Sequence, residues 1–402
     1  MTHIEQMIKD LCPNGVEFKP LGEVCDLKRG STITEKDAIA GDIPVIAGGQ
    51  KPAYYHNQSN REGKNITVAG SGAYAGYVSY WEQPIFVSDA FTVTPKDERL
   101  DIKFVYYFLN NMQDVIHHTK KGSGVPHVHP SSIANFDIPL PPLEIQKKIV
   151  ECLDKFSALA AELQAELQAE LQKRRTQYEY YRTRLLTPPH ADSTANSTDD
   201  CNWEWKTLGE ICVSIKDGMH NLPASSLEET EFPIISAQNI YDNKIDYVAK
   251  RYVDQETYNR ENKRTKVEIG DILLTIVATI GRSAVVKEDK PILLQRSVCV
   301  LKPHKNIVPE FLKYSLDTNR VQSYMIANAH GAAQAGLYLN QVEQIKIPVP
   351  PFAEQQRIAD LLDRFDKLIT SMEEGIPAEQ ERQQKRYEYY RDLLLTFDRK
   401  AV

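Results

Sequence analysis

Four groups of residues in this 402-residue chain have the right types to do chemistry, and each lacks a part. Val349-Pro350-Pro351-Phe352 lies close to the (Asn/Asp)-Pro-Pro-(Tyr/Phe) loop with which amino-methyltransferases hold a target amine. That loop needs an amide or carboxylate at its first position. Val349 supplies neither, and Leu140-Pro141-Pro142-Leu143 lacks it too. A rigid loop leading into a helix is the expectation for both. Gly70-Ser71-Gly72 with Gly76 follows a strand candidate, as a dinucleotide fingerprint would, but its spacing is wrong. Asp271 with Glu288-Asp289-Lys290 has the acids and the lysine of a metal-dependent nuclease. Residues 287–291, however, read as a turn whose side chains splay into water. His117, His118, His127 and His129 have no spaced third ligand, so they are expected to be solvated loop residues. No phosphate loop of the GxxxxGK(S/T) type occurs. No catalytic residue, metal site or cofactor is therefore expected in this chain.

A different chemistry runs through the loops. Lys28 and Arg29 stand together. Lys51, Tyr54, Asn57, Gln58, Arg61 and Lys64 follow, and Lys120-Lys121 open a glycine-containing loop. Further on come Gln238 and Asn239, then Arg260, Lys263 and Arg264, then Arg282 and Arg296. Lysine and arginine suit phosphates and guanine edges, while asparagine and glutamine suit adenine edges. These residues are the candidates for contact with double-stranded DNA. Bulk charge pulls the other way: 48 basic against 55 acidic residues leave a net charge of −7. A chain that coats nucleic acid usually shows a basic excess. Tight DNA binding is thus expected only once partners complete the electrostatics, with a marked salt dependence.

The elements that position these loops are written twice. Ile138-Pro139-Leu140-Pro141-Pro142 returns as Ile347-Pro348-Val349-Pro350-Pro351, an offset of 209. The same offset carries Gln146 onto Gln355, Leu153-Asp154 onto Leu362-Asp363, and Tyr178-Glu179-Tyr180-Tyr181-Arg182 onto Tyr387-Glu388-Tyr389-Tyr390-Arg391. Leu21-Gly22-Glu23 matches Leu208-Gly209-Glu210 at an offset of 187. Between these anchors the halves barely resemble each other. The layout is a divergent block, 1–142, and a copied segment, 143–187. A linker, 188–205, with four acidic and no basic residues, leads to a second block, 206–351, a second copy, 352–396, and a tail, 397–402.

The copied segments are expected to be helices. Ile149, Leu153, Phe156, Ala160, Leu163 and Leu167 fall at spacings of three and four, and so do Ile358, Leu362, Phe365 and Ile369. The first, if continuous, reaches roughly 65 Å. A single apolar stripe on so long a helix needs a partner, and its own copy is the obvious one. A pseudo-twofold relation would run the two antiparallel as a coiled coil. The blander reading packs each helix only on its own block. Pro377 is expected to break or kink the second helix and make the two unequal. The blocks read as α+β, with strands near 43–47, 66–69, 77–80, 91–94, 233–236, 272–276, 283–286 and 298–301, and short helices at 104–111 and 310–317.

With 42% apolar and 26% charged residues the chain can build real cores. The apolar stretch 272–280 is far too short to cross a bilayer, and no basic-then-apolar leader opens the sequence. Six cysteines without a C-x-x-C pair fit a reducing, cytoplasmic setting.

This arrangement resembles the specificity subunit of Type I restriction–modification enzymes over nearly the whole chain. The carriers are the Leu-Gly-Glu anchors at Leu21 and Leu208, the proline loops at Pro139 and Pro348, and the helices opened by Gln146 and Gln355 that end in Tyr-Glu-Tyr-Tyr-Arg. The resemblance implies two target-recognition domains, each reading one half of a split, asymmetric DNA site, held apart by the spacer helices. It also implies docking of two modification (methyltransferase) subunits, which use S-adenosylmethionine. Two restriction subunits would use ATP and magnesium. Two other readings stay open: a stand-alone DNA-modifying enzyme and a coiled-coil scaffold that binds only protein. Ala161-Glu162-Leu163-Gln164 occurs three times through Gln172, and that tract is where the spacer could be tuned.

Overall fold

The computed structural model describes residues 2–122, 124–188, 203–221, 228–331 and 335–400. Linker residues 189–202, Cys201 among them, and Ser123 of the basic loop lie outside the described residues. The chain divides into two compact units, 1–168 with 375–402, and 169–374.

The first unit opens with helix α1 (Thr2–Leu11), strand β1 (Phe18–Pro20), the single turn α2 (Leu21–Val24) and β2 (Cys25–Arg29). Next come β3 (Ile43–Ile46), β4 (Tyr54–His56), β5 (Asn65–Ala69), β6 (Val78–Trp81), β7 (Phe86–Val87) and β8 (Ala90–Pro95). Helices α3 (Ile102–Asn111), α4 (Gln113–His118) and α5 (Pro130–Ile133) lead to β9 (Asp137–Pro139) and the long α6 (Leu143–Leu185), which belongs to the first unit up to residue 168 and to the second from 169. An antiparallel sheet runs β2-β8-β5-β6, and a smaller one runs β4-β3-β7 with β3 and β7 parallel. All five residues of β5 are buried, because the sheet is covered on both faces. Asp101 caps α3 by accepting from the amides of Lys103 (2.8 Å) and Phe104 (3.0 Å). The core joins Ile66, Val68 and Phe91 of the sheet to Phe104 and Leu109 of α3 and to Ile145, Ile149 and Leu153 of α6.

The second unit repeats the plan from unlike residues. It holds β10 (Glu204–Thr207), α7 (Leu208–Ile211), β11 (Cys212–Asp217), β12 (Phe232–Ile235), β13 (Ile240–Tyr241), β14 (Lys244–Ile245) and β15 (Tyr252–Val253). Then follow α8 (Gln255–Glu261), β16 (Ile272–Thr275), β17 (Ser283–Val285), β18 (Leu293–Leu294), β19 (Val298–Pro303), α9 (Pro309–Leu316), α10 (Asn319–Ala327), α11 (Leu339–Glu343), β20 (Lys346–Val349) and α12 (Phe352–Leu395), whose residues from 375 on belong to the first unit. The sheets β11-β19-β16-β17 and β15-β12-β18 match those of the first unit, including the one parallel pair, β12 with β18. Gly30 and Gly218 end the matching strands β2 and β11. A Cβ there would sit 2.3 Å from the Val87 carbonyl oxygen and 2.2 Å from that of Leu294, so only glycine fits. Most of the extra length of the second block goes into the β13–β14 hairpin, turned by Asp242 and Asn243 at positive φ (47° and 60°), and into α8. Every strand and short helix expected from the sequence is present to within two or three residues. Glu204 and Trp205, grouped with the linker by composition, open β10.

Helix α6 has 43 residues and α12 has 44. The expected break at Pro377 does not occur, and the two helices are nearly equal. A proline interrupts one rung of the hydrogen-bond ladder. A long helix anchored by buried Ile358 and Leu362 at one end and Leu395 at the other tolerates that loss.

The apolar stripe does more than one job. Ile149 and Leu153 sit in the first core, and Ile358 and Leu362 in the second, all at 0% exposure. The opening turns of each helix therefore do pack on their own block. Farther along, helix meets helix. In the first unit Phe156 stacks on Tyr390, ring centroids 5.3 Å apart. In the second, Phe365 meets Tyr178 and Tyr181, and Arg175 pairs with Glu373. Residue numbers rise on one helix as they fall on the other, so the pairing within each unit is antiparallel. Leu163 and Leu167 are only half-buried and line a groove of about 750 Å³ with Gln380 and Gln383. Ile369 packs at the edge of the second core. The tail is not loose: Phe397 is buried against Phe104, and the amide of Val16 donates to the Asp398 carbonyl (2.8 Å).

Candidate nucleic-acid interface

In both units the loops at one end of the large sheet are tied together in the same way. In the first, the amide of Gly72 donates to the Pro126 carbonyl (3.0 Å), and the amide of Val128 to the Gly70 carbonyl (3.0 Å). Lys121 and His127 exchange two backbone bonds of 2.9 Å. In the second, the amide of Ala278 donates to the Ala335 carbonyl (3.0 Å), that of Leu337 to the Ile276 carbonyl (2.8 Å), and His330 and Gly336 exchange two bonds of 2.9 Å. Gly72 adopts φ +83° where Ala278 adopts φ +67°. An alanine in that left-handed region is uncommon, and the clamp holds it there. One backbone frame thus presents two unrelated sets of side chains.

The first set is polar. A small cleft is lined by Arg29, Ser88, Asp89, His127 and His129. The Arg29 guanidinium donates to Nδ1 of His129 (2.6 Å), and since arginine can only donate, the imidazole proton sits on Nε2. The rings of His127 and His129 stack nearly parallel, 6.1 Å apart. Ser71 donates to Asp89. Donors and acceptors of this kind suit base edges. The second set mixes charge and apolar groups. Asp217 accepts from Arg264 (2.6 Å) and pairs with His220 (2.5 Å). Arg282 shares a shallow groove with Ala278, Thr279 and Ile326, which is 68% exposed.

The candidate residues fall into two classes. Lys28, Arg29, Lys51, Asn57, Gln58, Lys121, Gln238, Lys263, Arg282 and Arg296 are exposed on the loops or strand ends. Lys64, Arg260 and Arg264 are exposed but paired with Glu82, Glu261 and Asp217. The Nζ of Lys120 donates to the Ala73 carbonyl (3.2 Å), inside the clamp. Three candidates are engaged within the fold. The Arg61 guanidinium donates to the carbonyls of Asn60 (2.7 Å) and Arg29 (2.9 Å) and to Thr92 Oγ1 (3.3 Å), and burial lowers its pKa. Asn239 is buried and donates to the carbonyls of Asp246 and Val248, both at 3.1 Å. The Tyr54 hydroxyl donates to the Ile33 carbonyl (2.6 Å). Each of the three holds a loop rather than facing outward. Residue type alone could not separate these from their exposed neighbours. Asp89, Ser71 and the partnership of His129 with Arg29 were missed.

The enzyme-like groups are structural. Val349 is buried in β20, and Gln355 donates to the Pro350 carbonyl (2.9 Å). Asp271 is engaged by Lys302 (2.5 Å) and by the Glu268 amide (2.7 Å), while Glu288 pairs with Lys290 on the surface. Burial pushes the thiols of Cys25 and Cys212 up to about 12, so neither is a ready nucleophile. Among the described residues no cluster of three or more His, Cys, Asp or Glu could hold a metal. Among them, too, no helix is long and apolar enough to cross a membrane.

The Type I restriction modification DNA specificity domain family matches residues 13–173 and 201–382. The chain is 28% identical over 434 residues to the Escherichia coli Type I restriction enzyme EcoR124I/EcoR124II specificity subunit, covering 99% of this chain and 97% of that one. Its fold is similar to that of the HsdS subunit from Thermoanaerobacter tengcongensis, with TM-score 0.61, 18% identity and coverage of 96% and 97%. It is also similar to a chain solved in work on assembly and conformational transition of the type I R-M system, with TM-score 0.67, 18% identity and coverage of 95% and 98%. Two copies of one specificity domain, each with a clamped loop set on a sheet and each joined to a long helix, define a protein of DNA target recognition. This chain belongs to the Type I restriction–modification DNA specificity family, whose part is specificity rather than catalysis.

Proposed function

We propose that this chain reads a bipartite, asymmetric DNA site, one recognition domain per half-site, and docks two methyltransferase subunits. The supporting observation is the doubled loop clamp, which carries Arg29, His127, His129 and Asp89 in one copy and Arg282, Ala278, Thr279 and Ile326 in the other. Unlike side chains on one frame select unlike half-sites. S-adenosylmethionine belongs to the methyltransferase subunits, and ATP and magnesium to two restriction subunits, all in the cytoplasm.

A second observation favours docking of one kind of partner twice. Leu143 and Phe352, Leu159 and Leu368, and Tyr180 and Tyr389 are pairs related by the 209 offset. All six are exposed, by 37% and 51%, 63% and 45%, and 57% and 63%. Apolar side chains kept outward at matching places in both copies mark a repeated contact surface.

Methylation mapping of a host with and without the gene tests the reading. A two-part motif that appears only with the gene is expected. Exchange of residues 1–142 for another block is expected to change one half of the motif only. Change in both halves refutes the modular assignment, and methyl transfer by the chain alone refutes the non-catalytic one.

A further inference from the structure

We infer that each spacer helix fixes the direction of its recognition domain through a two-point polar latch, made by Gln146 and Asp154 in the first copy and Gln355 and Asp363 in the second. This rests on the bipartite reading above and adds the residues that set the geometry of reading.

The first point is a buried glutamine. Gln146, at 0% exposure, accepts from the Asp101 amide (2.9 Å) and donates to the carbonyls of Arg99 (2.7 Å) and Pro141 (2.7 Å). Gln355, at 1% exposure, accepts from the Val308 amide (3.0 Å) and donates to the carbonyls of Asn306 (3.2 Å) and Pro350 (2.9 Å). Each glutamine holds the loop that enters the domain's own helix, α3 or α9. The second point lies eight residues on, roughly 12 Å along the helix. There Asp154 accepts from the Tyr107 hydroxyl (2.5 Å), and Asp363 accepts from the Tyr314 hydroxyl (2.6 Å). Both phenols are buried. Lys103 adds a 2.8 Å bond to Asp154 in the first copy.

Two attachments on one helix fix a line, where one alone would leave a pivot. The apolar groups between them, Ile149 and Phe104 or Ile358 and Phe311, supply adhesion without direction. Buried polar groups must keep their partners, so the latch tolerates few alternative dockings. Helices α3 and α9 pack on the sheets that bear the reading loops. The latch therefore acts on how a domain is aimed, not on which bases it prefers. Its glutamine arm touches only backbone of the recognition block, so a block of any sequence can be latched if a tyrosine stands at the second point.

The test uses the chain co-expressed with its methyltransferase partner and a library of sites with every spacer length. Wild type is expected to modify one length. Tyr107→Phe, which keeps the ring and removes the hydroxyl, is expected to raise modification at spacers one base pair longer or shorter by about fivefold, the weight of one hydrogen bond. The bases read should not change. Tyr314→Phe repeats the experiment in the second domain, in case the first variant misfolds. Asp363→Asn keeps an acceptor for the Tyr314 hydroxyl and is expected to keep the wild-type spacer profile. If both tyrosine variants lose thermal stability but keep that profile, or if the bases read change, the latch inference is wrong. A wild-type chain that gives no two-part motif sinks the bipartite reading itself.

Discussion

Arg61 separates two roles that residue type cannot. By composition it is a DNA-contacting arginine, but its guanidinium is tied to the carbonyls of Asn60 and Arg29 and to Thr92 Oγ1. In Arg61→Ala those acceptors lose their donor. A hydrogen bond to a charged group contributes about 1.5–3 kcal/mol net when buried. The site is half-buried and the bonds act together, so about 2–3 kcal/mol is the expected loss. For a unit of this size that lowers Tm by roughly 5–10 °C. The decisive measurement pairs thermal unfolding with the salt dependence of DNA binding by the assembled complex. A structural Arg61 shifts Tm and leaves the slope of log K against log salt unchanged. A phosphate contact would reduce that slope by about 0.9 and leave Tm alone. The latter pair of results would refute the structural assignment. Lys28 and Lys121, both exposed, serve as controls and are expected to behave in the opposite way.

Three further expectations follow from the same geometry. Gln380 lines the groove with Leu163 and Leu167, whereas its counterpart by the 209 offset, Leu171, is buried. Gln380→Leu should therefore raise stability by roughly 1 kcal/mol, and unchanged or lower thermal stability contradicts the gap. Deleting one Ala-Glu-Leu-Gln repeat shortens α6 by about 6 Å and rotates its end by about 40°. Set against about 35° per base pair, this is expected to shift the spacer by one or two base pairs, and a methylation map with the original spacer refutes it. Asp97 is held down to about 2 by Arg99, below the ordinary carboxylate value of 3.8. Its contribution is present above pH 4 and is lost as pH falls toward 2. Asp97→Asn should then lower Tm at pH 7 and converge with wild type near pH 2; a constant difference would exclude this linkage.

The outline of the fold was legible because it rests on period and repetition. The stripe from Ile149 to Leu167 and the 209 offset mark both long helices, and alternating apolar runs such as Ile66–Ala69 mark the sheets. The continuity of α12 through Pro377 was not legible, because a local rule about one hydrogen bond cannot weigh the anchors far along the same helix. Short elements such as β2, α4 and α11 owe their form to tertiary packing rather than to their own sequence. In the candidate interface, residue types marked the loops but did not separate exposed side chains from those tied into the fold. Arg29 and Arg61 look alike in sequence, and only the carbonyls around Arg61 distinguish them. His129 gained its meaning from Arg29, a hundred positions away.

The pattern of copying also has a physical basis. The copied segments make contacts that depend on their own side chains: Gln146 and Gln355 reach backbone, and Phe156 and Phe365 meet the tyrosines of the other copied segment. A change there disturbs several partners at once, and few replacements satisfy them all. The blocks contribute mainly backbone to the loop clamp and to the glutamine arm. Their side chains at the loop tips are free to differ, as Gly72 and Ala278 do on one frame. On the proposed reading, such a protein would change its target through exposed loop side chains and keep its frame through the side chains tied to backbone. Arg61 and Asn239 stand on the second side of that division. An altered target is therefore expected from exchanges at exposed positions such as Arg29, Gln238 or Arg282, and lowered thermal stability from exchanges at Arg61 or Asn239.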